Sequence, residues 1–433
     1  MALNLHDACK ARLLQVLSDE LPEVMVDNRM FLSRKSAIRF YPAEDIVPSS
    51  GEIREWLNNY ISDIPVSEFF FETLSRDLFD NQDYQADEVG SKLTDLPGCE
   101  DAQTVAVNLI EKLDSLPWNY SFSLRLPSEL SGVLDESLKD YSFSDYLKLV
   151  KVDEQFRSRF PIPIDNFPVA KGEGLAALAR VYLDPWDGTD KVVLQVNREG
   201  FIGKYGLTET YIQVEELIRA FFGLGIALRL FKIDRKYQST PQKAEIYIHK
   251  IEGEAWSFQQ SQEIDASKSE SINDLTIHDL NGKLDSEAKK QFWIQDVLAD
   301  IGMVFEFDSK TKKLILASQW LFDSYCGKDE LLAFIQSTVV IEILLGDKAE
   351  SDVAGLGVLL RNRCAYLIGA SQTQREEVLK DFQEIYDVRS RIVHGGKNRL
   401  NRKERKLLTK LQWMSRRIIQ EEVRLLKEDT SED

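Results

Sequence analysis

In the stretch Tyr386-Asp387-Val388-Arg389-Ser390-Arg391-Ile392-Val393-His394-Gly395-Gly396 an arginine stands where an apolar residue belongs. At helical spacing Leu379, Phe382, Ile385, Tyr386, Ile392 and Val393 form one apolar stripe, and Arg389 falls inside it. A guanidinium there must meet a partner. His394 would sit in the last helical turn, where the helix dipole favours its protonated form. Histidine is the side chain whose ordinary pKa, about 6.5, lies nearest neutral pH, which suits that residue type to acid–base chemistry. The pair could do acid–base chemistry on an anionic substrate, or form a helix-end ion pair that does no chemistry.

The elements that hold these residues are legible around them. Thr373 and Glu376 have the spacing of a capping box, and Gly395-Gly396 suits a left-handed C-cap, so one helix should run between them. Leu331, Phe334, Ile335, Thr338, Ile341 and Leu345 define an earlier helical stripe on which Glu342 also falls. A buried carboxylate needs a cation, which Arg389 or Arg363 could supply. Glu342 then reads as the group that orients the arginine, with a direct catalytic role as the alternative. Ser390 lies four residues before His394 and could hydrogen-bond it; an exposed helical serine is the plainer reading.

An arginine and a histidine separated by four residues and followed by Gly-Gly resemble the R-x4-6-H signature of HEPN domains. The surrounding residues are most similar to the Apea-like HEPN family. The resemblance runs from about Leu314 to about Leu426 and includes Val340-Ile341-Glu342-Ile343-Leu344-Leu345-Gly346 and Leu359-Leu360-Arg361-Asn362-Arg363-Cys364-Ala365-Tyr366-Leu367-Ile368-Gly369. Many HEPN nucleases carry Asn, Asp or His directly after the arginine, where this chain has Ser390. The resemblance implies a metal-independent endoribonuclease with no cofactor, its active site shared across a homodimer or higher even oligomer. His394 would act as base or acid while the 2′-hydroxyl of RNA attacks the adjacent phosphorus, leaving a 2′,3′-cyclic phosphate. Arg389 would hold the phosphoryl oxygens. Residues five apart on a helix point about 140° apart, which also favours a site built from two chains.

Charge distribution bears on an RNA partner. The formal net charge is −18, yet eleven basic residues and one acid, Glu404, lie between Arg389 and Arg417, a local balance of +10 that leaves −28 for the rest. Arg391, Lys397, Arg399 and Arg402 are therefore candidate RNA contacts. A solvated terminal helix would show the same composition. No apolar run approaches the roughly 20 residues needed to cross a bilayer, and the N-terminus lacks a secretory pattern, so a cytoplasmic protein without a membrane partner is expected. The four cysteines are far apart and unpaired in pattern, which argues for reduced packing residues and against a metal or disulfide framework.

Length and pattern suggest an α+β multidomain chain, with a mixed α/β N-terminal region followed by an all-α helical bundle. Residues 1–160 read as mainly helical, with a short strand at Ser36–Tyr41. Residues 161–255 read as an α+β segment and a candidate sensor, with strands at Leu175–Leu183, Lys191–Val196, Ile226–Ile233 and Ala244–Ile251 and a helix at about Thr210–Phe222. The polar stretch 256–285 reads as a linker or mobile loop. Residues 286–433 form the helical domain, entered through a helix at Ser286–Val304 and a turn at Asp308-Ser309-Lys310. By analogy with HEPN effectors in prokaryotic antiviral defence and abortive infection, the N-terminal region would restrain the nuclease until a phage-derived trigger binds.

The remaining features have plainer readings. Asp184-Pro185-Trp186-Asp187-Gly188-Thr189-Asp190 holds three carboxylates but lacks calcium-loop spacing and reads as a hairpin loop. Gly223-Leu224-Gly225 and Gly355-Leu356-Gly357 are incomplete dinucleotide fingerprints and read as packing or helix-entry glycines. His249 alternates with Ile246 and Ile248 and reads as part of a partly exposed strand face. A non-catalytic HEPN scaffold that binds RNA or dimerises is the competing function. An antitoxin-like partner of a nucleotidyltransferase is the third, without the tyrosine two residues after His394 that it would need.

Overall fold

The computed structural model describes residues 3–27, 31–47, 50–61, 64–80, 90–135, 137–163, 186, 191–204, 208–235, 243–279, 286–306, 308–346 and 355–431. In chain order the elements are α1 (Asp7–Glu20), β1 (Met25–Asp27), β2 (Phe31–Leu32), α2 (Glu52–Ile61), α3 (Val66–Asp80), β3 (Ser91–Lys92), α4 (Ala102–Asp114), β4 (Trp118–Arg125), β5 (Asp140–Ser142), β6 (Leu147–Lys151) and α5 (Glu154–Arg159). There follow β7 (Val192–Gly200), α6 (Glu209–Ala227), β8 (Phe231–Ile233), β9 (Glu245–Glu252), β10 (Ala255–Glu263), α7 (Ala266–Asn273) and β11 (Leu275–Ile277). The chain closes with α8 (Glu287–Glu306), α9 (Asp308–Asp323), α10 (Glu330–Leu345), α11 (Leu356–Ile368), α12 (Gln372–His394) and α13 (Arg402–Ser431). The fold is α+β.

Two compact units divide the chain, Met1–Tyr120 with Arg198–Val214, and Ser121–Asn197 with Glu215–Asp433. In the first, α1 packs on α4, burying Leu13 and Leu17 with Leu109 and Leu113. Asp114 closes that contact by accepting the Leu5 N–H at 2.5 Å and pairing with Lys10 at 2.6 Å. Phe69 packs against Phe70, Trp118 and Phe201. Segment Ser36–Tyr41, expected as a strand, lies in a 3-10 helix, Arg34–Ala43. The Ser36 hydroxyl bonds the Met25 N–H and carbonyl, which joins the segment to β1 without a strand ladder.

The second unit is built on a sheet of order β10-β9-β4-β7-β6-β5. Leu147–Lys151 pairs with Val192–Val196, so residues before and after position 160 share one sheet and no domain boundary falls there. The mainly helical reading of 1–160 overlooked β4, in which Trp118, Tyr120, Phe122 and Leu124 alternate with polar residues at the strand period. The expected linker at 256–285 is also corrected. Its described part forms β10, α7 and β11. Polar side chains suit β10 because it is the edge strand and most of its residues are partly exposed. Gly253, at φ +64°, turns the chain from β9 into it, a conformation that glycine adopts without Cβ strain. Of the Ile226–Ile233 strand only Phe231–Ile233 is extended, and Asp308-Ser309-Lys310 opens a helix instead of making a turn. Leu175–Leu183 lies outside the described residues.

The helices from α8 onward supply the site. α10 is apolar on most sides and is covered by its neighbours, with Phe334, Val340 and Ile341 fully buried. α13 buries Leu407, Leu411, Met414 and Ile418 at spacings of four and three, one stripe facing α10, α11 and α12. That core also holds Phe382, Ile385 and Val388 of α12. Buried Cys364 is part of it, and burial pushes its thiol up to about 12. No helix among the described residues is long and apolar enough to cross a membrane.

Candidate active site

α12 positions both residues of the arginine–histidine motif. It begins two residues earlier than the Thr373–Glu376 box implies: Ser371 is the N-cap, its hydroxyl accepting the Gln374 N–H at 3.3 Å. It ends where expected, with Gly395 donating to the Arg391 carbonyl at 3.0 Å and Gly396 in the left-handed region at φ +63°. Val378, Phe382, Ile385 and Val388 are buried. Val393, expected on the same stripe, is 48% exposed. It stands five residues after Val388, about 140° around the helix from it.

Arg389 keeps about a quarter of its side chain exposed, and its Nη2 lies 3.3 Å from Oε1 of Glu342 on α10. The Glu342 Oε1 is buried and has no hydrogen bond, so this contact is a Coulombic pair whose alignment falls short of a hydrogen bond. The guanidinium also stands 6.0 Å over the Tyr386 ring. Tyr386 is fixed in turn from α11, where a Cβ at Gly357 would come within 2.8 Å of the ring. Gly355, at φ +79°, is the N-cap of α11, so this Gly-Leu-Gly serves helix entry and packing. Arg363, the other candidate partner of Glu342, donates to the Leu345 carbonyl at 2.8 Å.

His394 is exposed at the end of α12, and so is Ser390. No hydrogen bond joins the two among the described residues. The structure thus brings Arg389 to Glu342 and leaves His394, on the same helix, open to solvent.

The basic stretch is less cationic in space than in sequence. Lys403 pairs with Glu384 at 2.8 Å, Arg405 with Glu330 at 2.7 Å and Lys410 with Asp381 at 2.6 Å, acids that lie outside the stretch whose balance is +10. Lys397 and Arg391 both converge on Glu404, at 3.0 and 3.2 Å, and the Glu404 side chain is only 4% exposed. Glu404 also accepts the Asn401 N–H at 2.8 Å, while Asn401 Oδ1 accepts the Glu404 N–H at 3.0 Å, the reciprocal bonds of a capping box at the start of α13. Burial opposes the charge on Glu404, but the Asn401 N–H, Lys397 and Arg391 outweigh it and hold the carboxyl below its usual range. Glu404 therefore ties the loop after His394 to both flanking helices. Sequence reasoning missed it, although Asn401-x-x-Glu404 has the capping-box spacing. Arg399 and Arg402 are exposed and have no ion pair among the described residues.

Elsewhere, His249 is a correction. It is fully buried on β9, with Nε2 3.1 Å from the Pro161 carbonyl and its ring against Phe160 and Phe258. α5 and buried aromatic residues cover the strand face that the alternation had left half open. The Asp184–Asp190 segment lies outside the described residues except for Trp186, whose indole N–H donates to the Phe160 carbonyl at 3.0 Å.

Comparison with known proteins adds no further constraint: no protein-family model, curated protein or solved structure was found to match the chain.

Proposed function

We propose that the protein is a HEPN-type endoribonuclease that cleaves RNA through its 2′-hydroxyl without a metal ion, working as a homodimer. The ion pair between Arg389 and Glu342, with an exposed His394 on the same helix as Arg389, carries this reading. It is supported by an arginine held by a carboxylate and an aromatic ring, and so aimed in one direction before substrate arrives. His394 takes the proton from the 2′-hydroxyl or delivers one to the leaving 5′-oxygen. Arg389 stabilises the charge that builds on the phosphoryl oxygens. Because the two side chains leave one helix about 140° apart, a site that uses both draws them from two chains across a two-fold axis. Arg399 and Arg402 lead the RNA strand toward the motif. The first unit and the sheet act as a sensing region in an antiviral or toxin-type effector. The test is RNA cleavage in the presence of a chelator, with a 2′-deoxy substrate as control. A divalent-ion requirement, or equal cutting of DNA, would overturn the proposal.

One observation favours a second reading, a non-catalytic scaffold that binds RNA or dimerises. Arg389 already has structural partners in Glu342 and Tyr386, as an arginine without a catalytic role would. Cleavage by a well-folded His394→Ala protein at the wild-type rate would select that reading.

A further inference from the structure

On the sheet of the second unit, Lys148 of β6 stands opposite Gln195 of β7. Gln195 is buried and donates to the Ser123 hydroxyl at 3.2 Å. The short helix α5 lies beside this part of the sheet, and between them is a cavity of about 120 Å³ whose charged lining is Lys139, Lys148, Lys151, Arg159, Asp140 and Asp153. Two of these groups are committed elsewhere. Lys151 donates to the Asp135 carbonyl at 2.6 Å, and Asp153 caps α5 by accepting the Phe156 N–H at 2.7 Å.

Lys148 is half-buried, and its side chain has no hydrogen bond or ion pair among the described residues. Arg159, which also lines the cavity, has its guanidinium carbon 5.5 Å from the centre of the Phe160 ring and no hydrogen bond or ion pair from its side chain among the described residues. Burial, and after it the charge of Arg159, pull the Lys148 ammonium below its usual range, and Asp140 offsets this only in part. Two cations sharing a partly desolvated cleft repel each other unless an anion lies between them. In a chain of net charge −18 such a cluster does not follow from overall composition. The cavity is well below the roughly 300 Å³ at which pockets begin to enclose drug-sized ligands, so it fits one compact oxyanion.

We propose that this cleft binds a phosphoryl group, as free phosphate or as the phosphate of a small phosphorylated molecule, with Lys148 and Arg159 on its oxygens and Lys139 at the rim. The site lies on the sheet, apart from Arg389 and His394, and its test needs no RNA. Full-length protein is titrated with inorganic phosphate, ribose 5-phosphate and unphosphorylated ribose at matched ionic strength, following thermal stability, since a ligand that binds the native state raises it. Saturable stabilisation by a phosphorylated probe and none by ribose is expected. Lys148→Gln and Arg159→Gln should each weaken the fitted affinity about tenfold, the usual effect of losing one charge-assisted hydrogen bond. Tighter binding of ribose 5-phosphate than of phosphate would identify an organic phosphate as the ligand, and the reverse order free phosphate. Arg159 is exposed, so its variant keeps the test valid if Lys148→Gln folds poorly. Absence of saturable stabilisation by both phosphate probes, or wild-type affinity in the folded variants, would overturn the proposal.

Discussion

Arg389 of α12 and Glu342 of α10 face each other with Nη2 and Oε1 3.3 Å apart, and the carboxylate oxygen is buried with no hydrogen bond of its own. Glu342 therefore depends on this guanidinium. Arg389→Ala should destabilise the fold by about 1–3 kcal/mol, because it leaves a carboxylate oxygen unpaired in the core. Adding Glu342→Gln to it should recover much of that loss. Urea unfolding of the two single variants and the double variant measures the coupling, and strictly additive changes would show that the pair contributes nothing.

His394→Ala should abolish RNA cleavage and leave the fold intact, since a histidine at a helix C-terminus contributes at most about 2 kcal/mol. Circular dichroism and sizing of the variant, set beside its cleavage rate, separate loss of chemistry from loss of structure.

Mixing His394→Ala with Arg389→Ala protein asks which chain supplies which group. A site made of Arg389 from one chain and His394 from the other regains one intact copy per heterodimer, so activity returns. A site that needs all four side chains stays inactive. Recovery is measured after the mixed dimers have exchanged subunits.

RNA binding should divide the basic residues according to their partners. Arg399→Glu with Arg402→Glu should weaken binding and lower its logarithmic salt slope by about 0.7 for each phosphate that is no longer neutralised. Lys403→Glu and Arg405→Glu, whose cations already face Glu384 and Glu330, should change the slope less. Equal effects from both pairs would mean that the ion pairs open on binding.

His249 should make the protein acid-sensitive. Burial holds its pKa at about 4 against an ordinary 6.5. The folded state thus disfavours the proton that the unfolded chain accepts. The stability tied to neutral His249 is complete above pH 6.5 and is lost as pH falls toward 4, by about 3 kcal/mol. His249→Gln can still donate to the Pro161 carbonyl but does not titrate, so its urea midpoint should fall less over this interval. An equal fall would place the acid sensitivity in other groups.

The amino-acid sequence by itself determined the local features of the site. The apolar period of α12, the Gly395-Gly396 stop and the polar residue Glu342 on an apolar stripe all depend on neighbours within a few turns, and the structure holds each of them except at Val393, which is exposed. The same holds for α6, α8 and β9, each of which falls within about five residues of where its local residue pattern places it. Tertiary structure decided what depends on distant chain. β10 is polar yet extended because it is an edge strand. His249 is buried because α5 and its aromatic neighbours cover β9. The basic stretch loses much of its charge because α10 and α12 bring Glu330, Asp381 and Glu384 to it. Burial and ion pairing are properties of what a residue faces, and a chain read in order shows only what lies beside it.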